Sequence, residues 1–262
     1  MRLAPKAQTL LERFALAANL VPEPALETHI ALLSARAIMA ASELGIFVAL
    51  AREPLDAQQI ADRCGLNTRA SEALMGSLAA LGYVHIQDSK FALMRKSRKW
   101  MSSTEASSLY NYMPHVRDVW NWATRLEDFV RKGQAIDVHK ELSQGEWSRY
   151  QRAMRALADP SAAEVAYRLA LPNHPKRMLD IGGAHGLYSV TLCRKHPSLS
   201  SLILELPPAI ESAAPVLAAE AMGDRVTHLA GSFRIQSTHG AGTSIRVELP
   251  VSQRDVTVGA SL

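Results

Sequence analysis

From Leu10 to Ala51 apolar residues recur at three- and four-residue spacing, most densely in HIALLSARAIMAASELGIFVAL, until Glu53-Pro54 stops the pattern. This spacing predicts a pair of core helices. A further helix is predicted over Asp56–Cys64, with Asp56 as N-cap, Gln59 three residues on as in a capping box, and Gly65 ending it. Another is predicted over Arg69–Leu81, closed by Gly82. Tyr83–Ile86 and Phe91–Leu93 then read as two short strands around the polar turn Asp88-Ser89-Lys90. Helix, helix, hairpin is the order of a winged helix-turn-helix.

Arg95–Ser108 (RKSRKWMSSTEASS) is basic and then Ser/Thr-rich, the composition of a connection between domains. Helices resume beyond it. Trp147, Tyr150, Met154 and Leu157 fall at i, i+3, i+7 and i+10, one face of a helix that Pro160 is expected to interrupt. That face is either a core stripe or a pocket wall. From Arg177 the period changes: RMLDIGG is a strand running into glycines, Leu187–Lys195 is helical, and SLILELPP is a second strand ended by prolines. Ile210–Ala221 supplies the next helix and Arg225–Leu229 the third strand, which makes an α/β unit with a parallel, doubly wound sheet.

A length of 262 residues allows one to two domains with a sizeable core, and 48% hydrophobic with 21% charged residues is ordinary globular usage. The longest stretch without a charged side chain, Ala73–Gln87, is fifteen residues and too short to span a bilayer. Glu12 and Arg13 interrupt any apolar leader, so a cytoplasmic location is expected. Cys64 and Cys193 show neither a disulfide framework nor metal-ligand spacing, and no metal is expected. The net charge of +4 permits contact with nucleic acid without requiring it.

The candidate chemistry lies in Asp180-Ile181-Gly182-Gly183-Ala184-His185-Gly186, a glycine-rich turn between a strand and a helix. Glycines let such a turn bend sharply and approach a ligand, while the helix presents free N–H groups to it. Nineteen residues beyond Gly186, at the end of the next strand, Glu205 can accept hydrogen bonds from both ribose hydroxyls of an adenosine moiety. A dinucleotide and S-adenosylmethionine both fit that pattern. Asp180 favours S-adenosylmethionine, because a carboxylate there suits a cationic group and a pyrophosphate has no use for it.

LDIGGAHGLYSVTLCRKHP followed by LILELPPAIESA, behind an Ala-rich region containing ELGIFVAL, resembles the plant-type small-molecule O-methyltransferases and their bacterial relatives over roughly residues 25 to 231. The resemblance implies an N-terminal mainly helical winged-helix domain that pairs two chains, followed by an incomplete Rossmann-like methyltransferase domain. It places Asp180, Gly182 and Gly186 in the cofactor loop. Glu205 stands where the family has the Asp of D-L-P, and Gly231-Ser232-Phe233 replaces G-D-F. Ser232 and Phe233 would then sit by the adenine, with serine giving a weaker hydrogen bond than the usual acid. Trp147, Tyr150 and Met154 would line the substrate pocket.

The implied organisation is 1–105 for dimerisation, 106–175 for connecting helices lining the pocket, 176–231 for a partial cofactor-binding domain, and 232–262 for a divergent tail. The implied reaction is attack of a small-molecule hydroxyl on the sulfonium methyl group. No counterpart of the family's L-H-D-W-like segment, which carries the general base, is present, and neither His228 nor His239 stands in its motif, so no catalytic base is assigned. The tail GSFRIQSTHGAGTSIRVELP instead resembles the final hairpin of a sensor histidine kinase ATPase domain, with Gly240, Gly242 and Thr243 in the turn. The kinase's ATP motifs are missing, so ATP binding is not implied. Strands near Arg234–Ser237 and Ser244–Leu249 are expected to form a hairpin covering the sheet edge near Leu179.

Two alternatives accompany this reading. A winged-helix DNA-binding regulator is suggested by Arg95, Lys96, Arg98 and Lys99, but its recognition helix would carry only Arg69 beside the acidic Glu72. The other is a catalytically dead dimerisation partner of an intact methyltransferase.

Overall fold

Pro22 and Gly45 cut the apolar run of the first fifty residues into three helices: α1 (Leu10–Ala17), α2 (Glu23–Glu43) and α3 (Ile46–Arg52). Pro22 stands at the N-cap of α2, and Gly45, at φ 75°, turns the chain from α2 into α3. The computed structural model describes residues 7–101, 108–135, 137–238, 240 and 242–248, with the backbone alone at 233–235, 238, 245 and 247. These residues form two compact units, divided between Ser103 and Thr104.

In the first unit, α4 (Ala57–Cys64) starts from a full capping box between Asp56 and Gln59 and ends at Gly65, in agreement with the sequence pattern. Next, α5 (Thr68–Ala80) is capped by Asn67, whose side chain accepts from the Ala70 N–H, and Gly82 follows it at φ 69°. The strands β1 (Val84–Gln87) and β2 (Lys90–Leu93) pair antiparallel. Asp88 and Ser89 are both left-handed, as a two-residue hairpin turn with the twist of its strands requires. Phe47, Leu50, Leu55, Ile60, Met75 and Leu78 fill the core of this unit.

Two expectations change here. The run from Leu10 to Ala51 is core only at its end: α1 buries no residue, and Leu26, Ile30 and Leu33 of α2 are exposed. Periodicity identifies an apolar face but not the surface that covers it. The expected connection at Arg95–Ser108 begins instead as a helix, α6 (Arg95–Trp100). The Ser97 hydroxyl donates to the Tyr83 carbonyl at 2.6 Å, and the Lys96 ammonium donates to the Leu81 carbonyl while lying over the Tyr83 ring. Part of the basic cluster thus holds the helix against the hairpin. Residues 102–107 lie outside the described residues.

The second unit begins with a short 3₁₀ turn, Leu109–Asn111, and the helices α7 (Met113–Ala123), α8 (Leu126–Lys132) and α9 (Val138–Glu141). The long α10 (Gln144–Arg168) runs straight through Pro160, contrary to the expected break. Proline forfeits one N–H and crowds the preceding turn. Burial of Ala153, Ala156, Ala158, Ala162 and Ala166 on the same helix offsets that cost, and Pro160 itself stays at the surface.

The strands β3 (Arg177–Ile181), β4 (Ser200–Glu205) and β5 (Val226–Ala230) form a parallel sheet in the order β3-β4-β5, joined through α11 (Leu187–Lys195) and α12 (Pro207–Ala218). Val190, Cys193, Leu199, Ile203, Leu217 and Val226 form its core, and Ala166 of α10 packs into the same cluster. The expected hairpin exists as β6 (Ser232–Thr238) and β7 (Gly242–Glu248), but it pairs only with itself, as a separate two-stranded sheet. It does not cover the β3 edge, where Leu179 and Ile181 are exposed. The topology gives the reason: only Gly231 separates β6 from β5, and β5 is the edge opposite β3, about 10 Å away across two strand spacings.

Candidate cofactor site

The chain leaves β3 through a turn in which Gly182, Ala184 and Gly186 are all left-handed, at φ 73°, 47° and 76°. The Gly182 N–H donates to the Leu204 carbonyl at 2.8 Å, anchoring the turn to the end of β4. A Cβ on Gly183 would lie 2.5 Å from the Asp180 carboxylate, and one on Gly186 would lie 2.8 Å from Ile203 Cδ1 and 2.9 Å from Leu217 Cδ1. The glycines are therefore demanded by backbone conformation and by close packing from below. Asp180 turns back beneath the loop, where its Oδ2 accepts from the Ser189 hydroxyl at 2.6 Å. Ser189 in turn meets Ser201 at 2.8 Å, so Asp180 ties the loop to α11 and β4.

Glu205 closes the site from β4. Its side chain is buried at 7% exposure, with Oε2 accepting from the Ala184 N–H at 3.1 Å and Oε1 from the Leu206 N–H at 2.8 Å. Each carboxylate oxygen has two lone pairs, so one acceptor position per oxygen remains for a hydroxyl. On the opposite side of Ala184, His228 Nε2 lies 2.8 Å from the Ala184 carbonyl. His185 is buried, and its Nδ1 accepts from the Leu187 N–H. Burial, with the Arg155 guanidinium nearby, pushes His185 down to about 4, so the ring is neutral near pH 7.

The helix α10 packs against α11 and α12. Burial, then the Glu205 carboxylate, raises the Tyr150 phenol above its usual range, which brings Tyr150 and Glu205 into one electrostatic neighbourhood. Trp147 is buried, stacked on His139 at 5.4 Å and perpendicular to Tyr150 at 5.8 Å. Met154 is half-buried, whereas Leu157 is 43% exposed and drops out of the expected stripe.

Sequence reasoning missed a buried group next to this wall. His115 meets Tyr150 and Trp122 edge-on, and its Nδ1 lies 3.6 Å from Asp118, which Arg149 grips through two nitrogens at 2.9 and 3.1 Å. The i, i+3 spacing of His115 and Asp118 was its only trace in the sequence.

Ser232 is exposed, and its hydroxyl donates to Glu248 of β7 at 3.3 Å. The side chain of Phe233 lies outside the described residues. Gly231, whose N–H donates to the Glu205 carbonyl, admits no side chain, because a Cβ would lie 2.4 Å from Leu204 Cδ1 and 2.8 Å from the Glu248 carbonyl oxygen. Among the described residues no cluster of His, Cys, Asp or Glu could hold a metal ion, and no single helix is long and apolar enough to cross a membrane.

Comparison with known proteins gives a likeness for each unit. An O-methyltransferase dimerisation domain model matches residues 27–111, and an O-methyltransferase domain model matches residues 137–246. The chain is 26% identical over 219 residues to a 3-hydroxy-5-methyl-1-naphthoate 3-O-methyltransferase of Streptomyces sahachiroi, covering 80% of this chain and 63% of the relative. It is 25% identical over 205 residues to an L-tyrosine C(3)-methyltransferase of Streptomyces lavendulae, covering 72% and 55%. The chain thus spans less than two thirds of the length of either relative. The solved structure of PigF with SAH shares the fold, with a TM-score of 0.71 at 23% identity over 81% of this chain and 67% of that one. An O-methyltransferase-type domain model is thus matched in each of the two units.

Proposed function

We propose that this chain binds S-adenosylmethionine at the 180–186 loop and Glu205, transfers its methyl group to a hydroxyl of a small aromatic molecule, and works as a homodimer through its first unit. The observation that carries the reading is the buried Glu205 carboxylate, held at the end of β4 by two backbone N–H groups with acceptor capacity left for paired hydroxyls. The left-handed turn of Gly182, Ala184 and Gly186 beside it leaves no side chain from the glycines in the way of a nucleoside.

The bound group supplies an electrophilic methyl on a sulfonium centre. Glu205 accepts the ribose hydroxyls, and Asp180, through Ser189, fixes the loop that carries them. Trp147, Tyr150 and Met154 offer an aromatic and thioether wall for the methyl acceptor. These residues contribute alignment of donor and acceptor. A hydroxyl acceptor is favoured by the naphthoate O-methyltransferase relative, and an aromatic one by both relatives.

Pairing of two chains is supported by the dimerisation domain match and by the exposed Leu26, Ile30 and Leu33 within or beside it.

Calorimetric titration with S-adenosylmethionine and S-adenosylhomocysteine tests the cofactor reading. Wild type binds both, while Gly182→Val, which forces a β-branched residue to φ 73°, and Glu205→Ala each weaken binding. A folded wild-type protein that binds neither compound ends the proposal.

A further inference from the structure

Ala184 is the one residue of the cofactor loop that is left-handed without being glycine, at φ 47°. A side chain in that region is strained and persists only where its surroundings over-determine it. Here both backbone groups of Ala184 are held. Its N–H donates to Glu205 Oε2 at 3.1 Å, and its carbonyl lies 2.8 Å from His228 Nε2. A carbonyl can only accept, so Nε2 carries the proton and donates. His228 sits on β5, in register with Ile203 of β4, and is half-buried. Its imidazole therefore reaches from β5 to a loop that follows β3, two strands away.

We propose that His228 is a positioning residue for the cofactor, clamping the Ala184 carbonyl so that the loop is held ready for the nucleoside end of an adenosyl sulfonium. This rests on the cofactor reading above. Glu205 faces the ligand and the loop at once, whereas His228 acts on the ligand only through Ala184. Without its donor, the Ala184–His185 peptide is released on one side and the loop samples other conformations. Binding then carries the cost of ordering it.

The test compares His228→Leu with His228→Gln, whose Nε2 keeps a donor at similar reach. Titration with S-adenosylhomocysteine is expected to show about threefold to tenfold weaker binding for His228→Leu, the loss of one hydrogen bond, and recovery in His228→Gln. Hydrogen exchange on the unliganded protein should be faster at the Ala184 and Gly186 amides in His228→Leu, and unchanged at the amides that join β4 to β5. If His228→Leu does not fold, His228→Asn, polar but too short to reach, takes its place. Equal affinity and equal loop exchange in wild type and His228→Leu overturn the clamp while leaving the cofactor reading intact. A wild type that binds no S-adenosylhomocysteine removes the cofactor reading, and the proposal with it.

Discussion

Arg155 of α10 and Glu220, just beyond α12, are joined across 65 residues: Nε and Nη2 of the arginine both donate to Glu220 Oε1, at 3.0 and 2.7 Å. Their side chains are 17% and 11% exposed, and Arg194 reaches the other oxygen of Glu220 at 3.1 Å. The pair fastens the helix carrying Trp147 and Tyr150 to the connection between α12 and β5. Arg155→Ala leaves Glu220 paired with Arg194 alone, so it is expected to cost about 1–2 kcal/mol, less than breaking an isolated buried pair. The double change Arg155→Met with Glu220→Gln should cost less than the sum of the single changes. Urea unfolding of the four proteins gives the answer, and strict additivity would show that the pair is energetically idle.

His185 gives the protein an acid-side stability slope. Burial beside Arg155 lowers its pKa from 6.5 to about 4 in the fold, so between those values the unfolded chain binds more protons. The stability contributed by the neutral ring is therefore fully present above pH 6.5, declines as pH falls through the window, and is gone below about 4. The span corresponds to about 3 kcal/mol. His185→Asn keeps an acceptor for the Leu187 N–H without titrating. Denaturation from pH 7.5 to 4 should show wild type losing stability faster than this variant, and parallel curves would contradict the buried neutral ring.

Gly186 is held by two constraints at once, its φ of 76° and the methyls of Ile203 and Leu217 lying where a Cβ would go. Gly186→Ala is expected to destabilise by about 2–4 kcal/mol, combining backbone strain with overpacking. Thermal and urea midpoints both report it. Gly65→Ala, left-handed but with open space around it, should lose only the backbone part, about 1 kcal/mol.

Glu205→Gln retains the volume and one acceptor oxygen. It loses the charge that strengthens the bond from the Ala184 N–H or the Leu206 N–H. A fall in stability of about 1–2 kcal/mol is expected, with a loss of S-adenosylhomocysteine affinity of about tenfold or more. Calorimetry on the folded variant separates the two effects, and unchanged affinity would remove Glu205 from the site.

Ile30 and Leu33 stand exposed in a shallow apolar groove that also includes Ala37, Ser77 and Ala80 of α2 and α5. If this face joins two chains, Ile30→Glu with Leu33→Glu should shift sedimentation from dimer to monomer without unfolding the first unit. A wild type that sediments as a monomer at high concentration would refute the homodimer.

Much of the site was legible because its signals are local. The capping box of Asp56 and Gln59, the glycines of the loop, and the switch from helical to strand period at Arg177 each depend on residues a few positions apart. Glu205 was placed at the end of β4 by its spacing from Gly186, since a βαβ unit fixes how far the chain travels between strand ends. Pro160 misled for the same reason: proline's local penalty is plain in the sequence, while the alanine packing that offsets it is spread along α10.

Periodicity and turn residues act over short range, and they were enough to predict the capped helices of the first unit, the parallel strands and the glycine turn of the loop. That the terminal hairpin stands apart from the β3 edge follows from strand order, which, unlike strand propensity, sets which edge a segment can reach. Tertiary packing alone brought His228 to the Ala184 carbonyl and His115 to Tyr150. Those contacts join residues whose separation along the chain carries no pattern, and they exist because packing the helices on the sheet leaves each buried polar group in need of a partner.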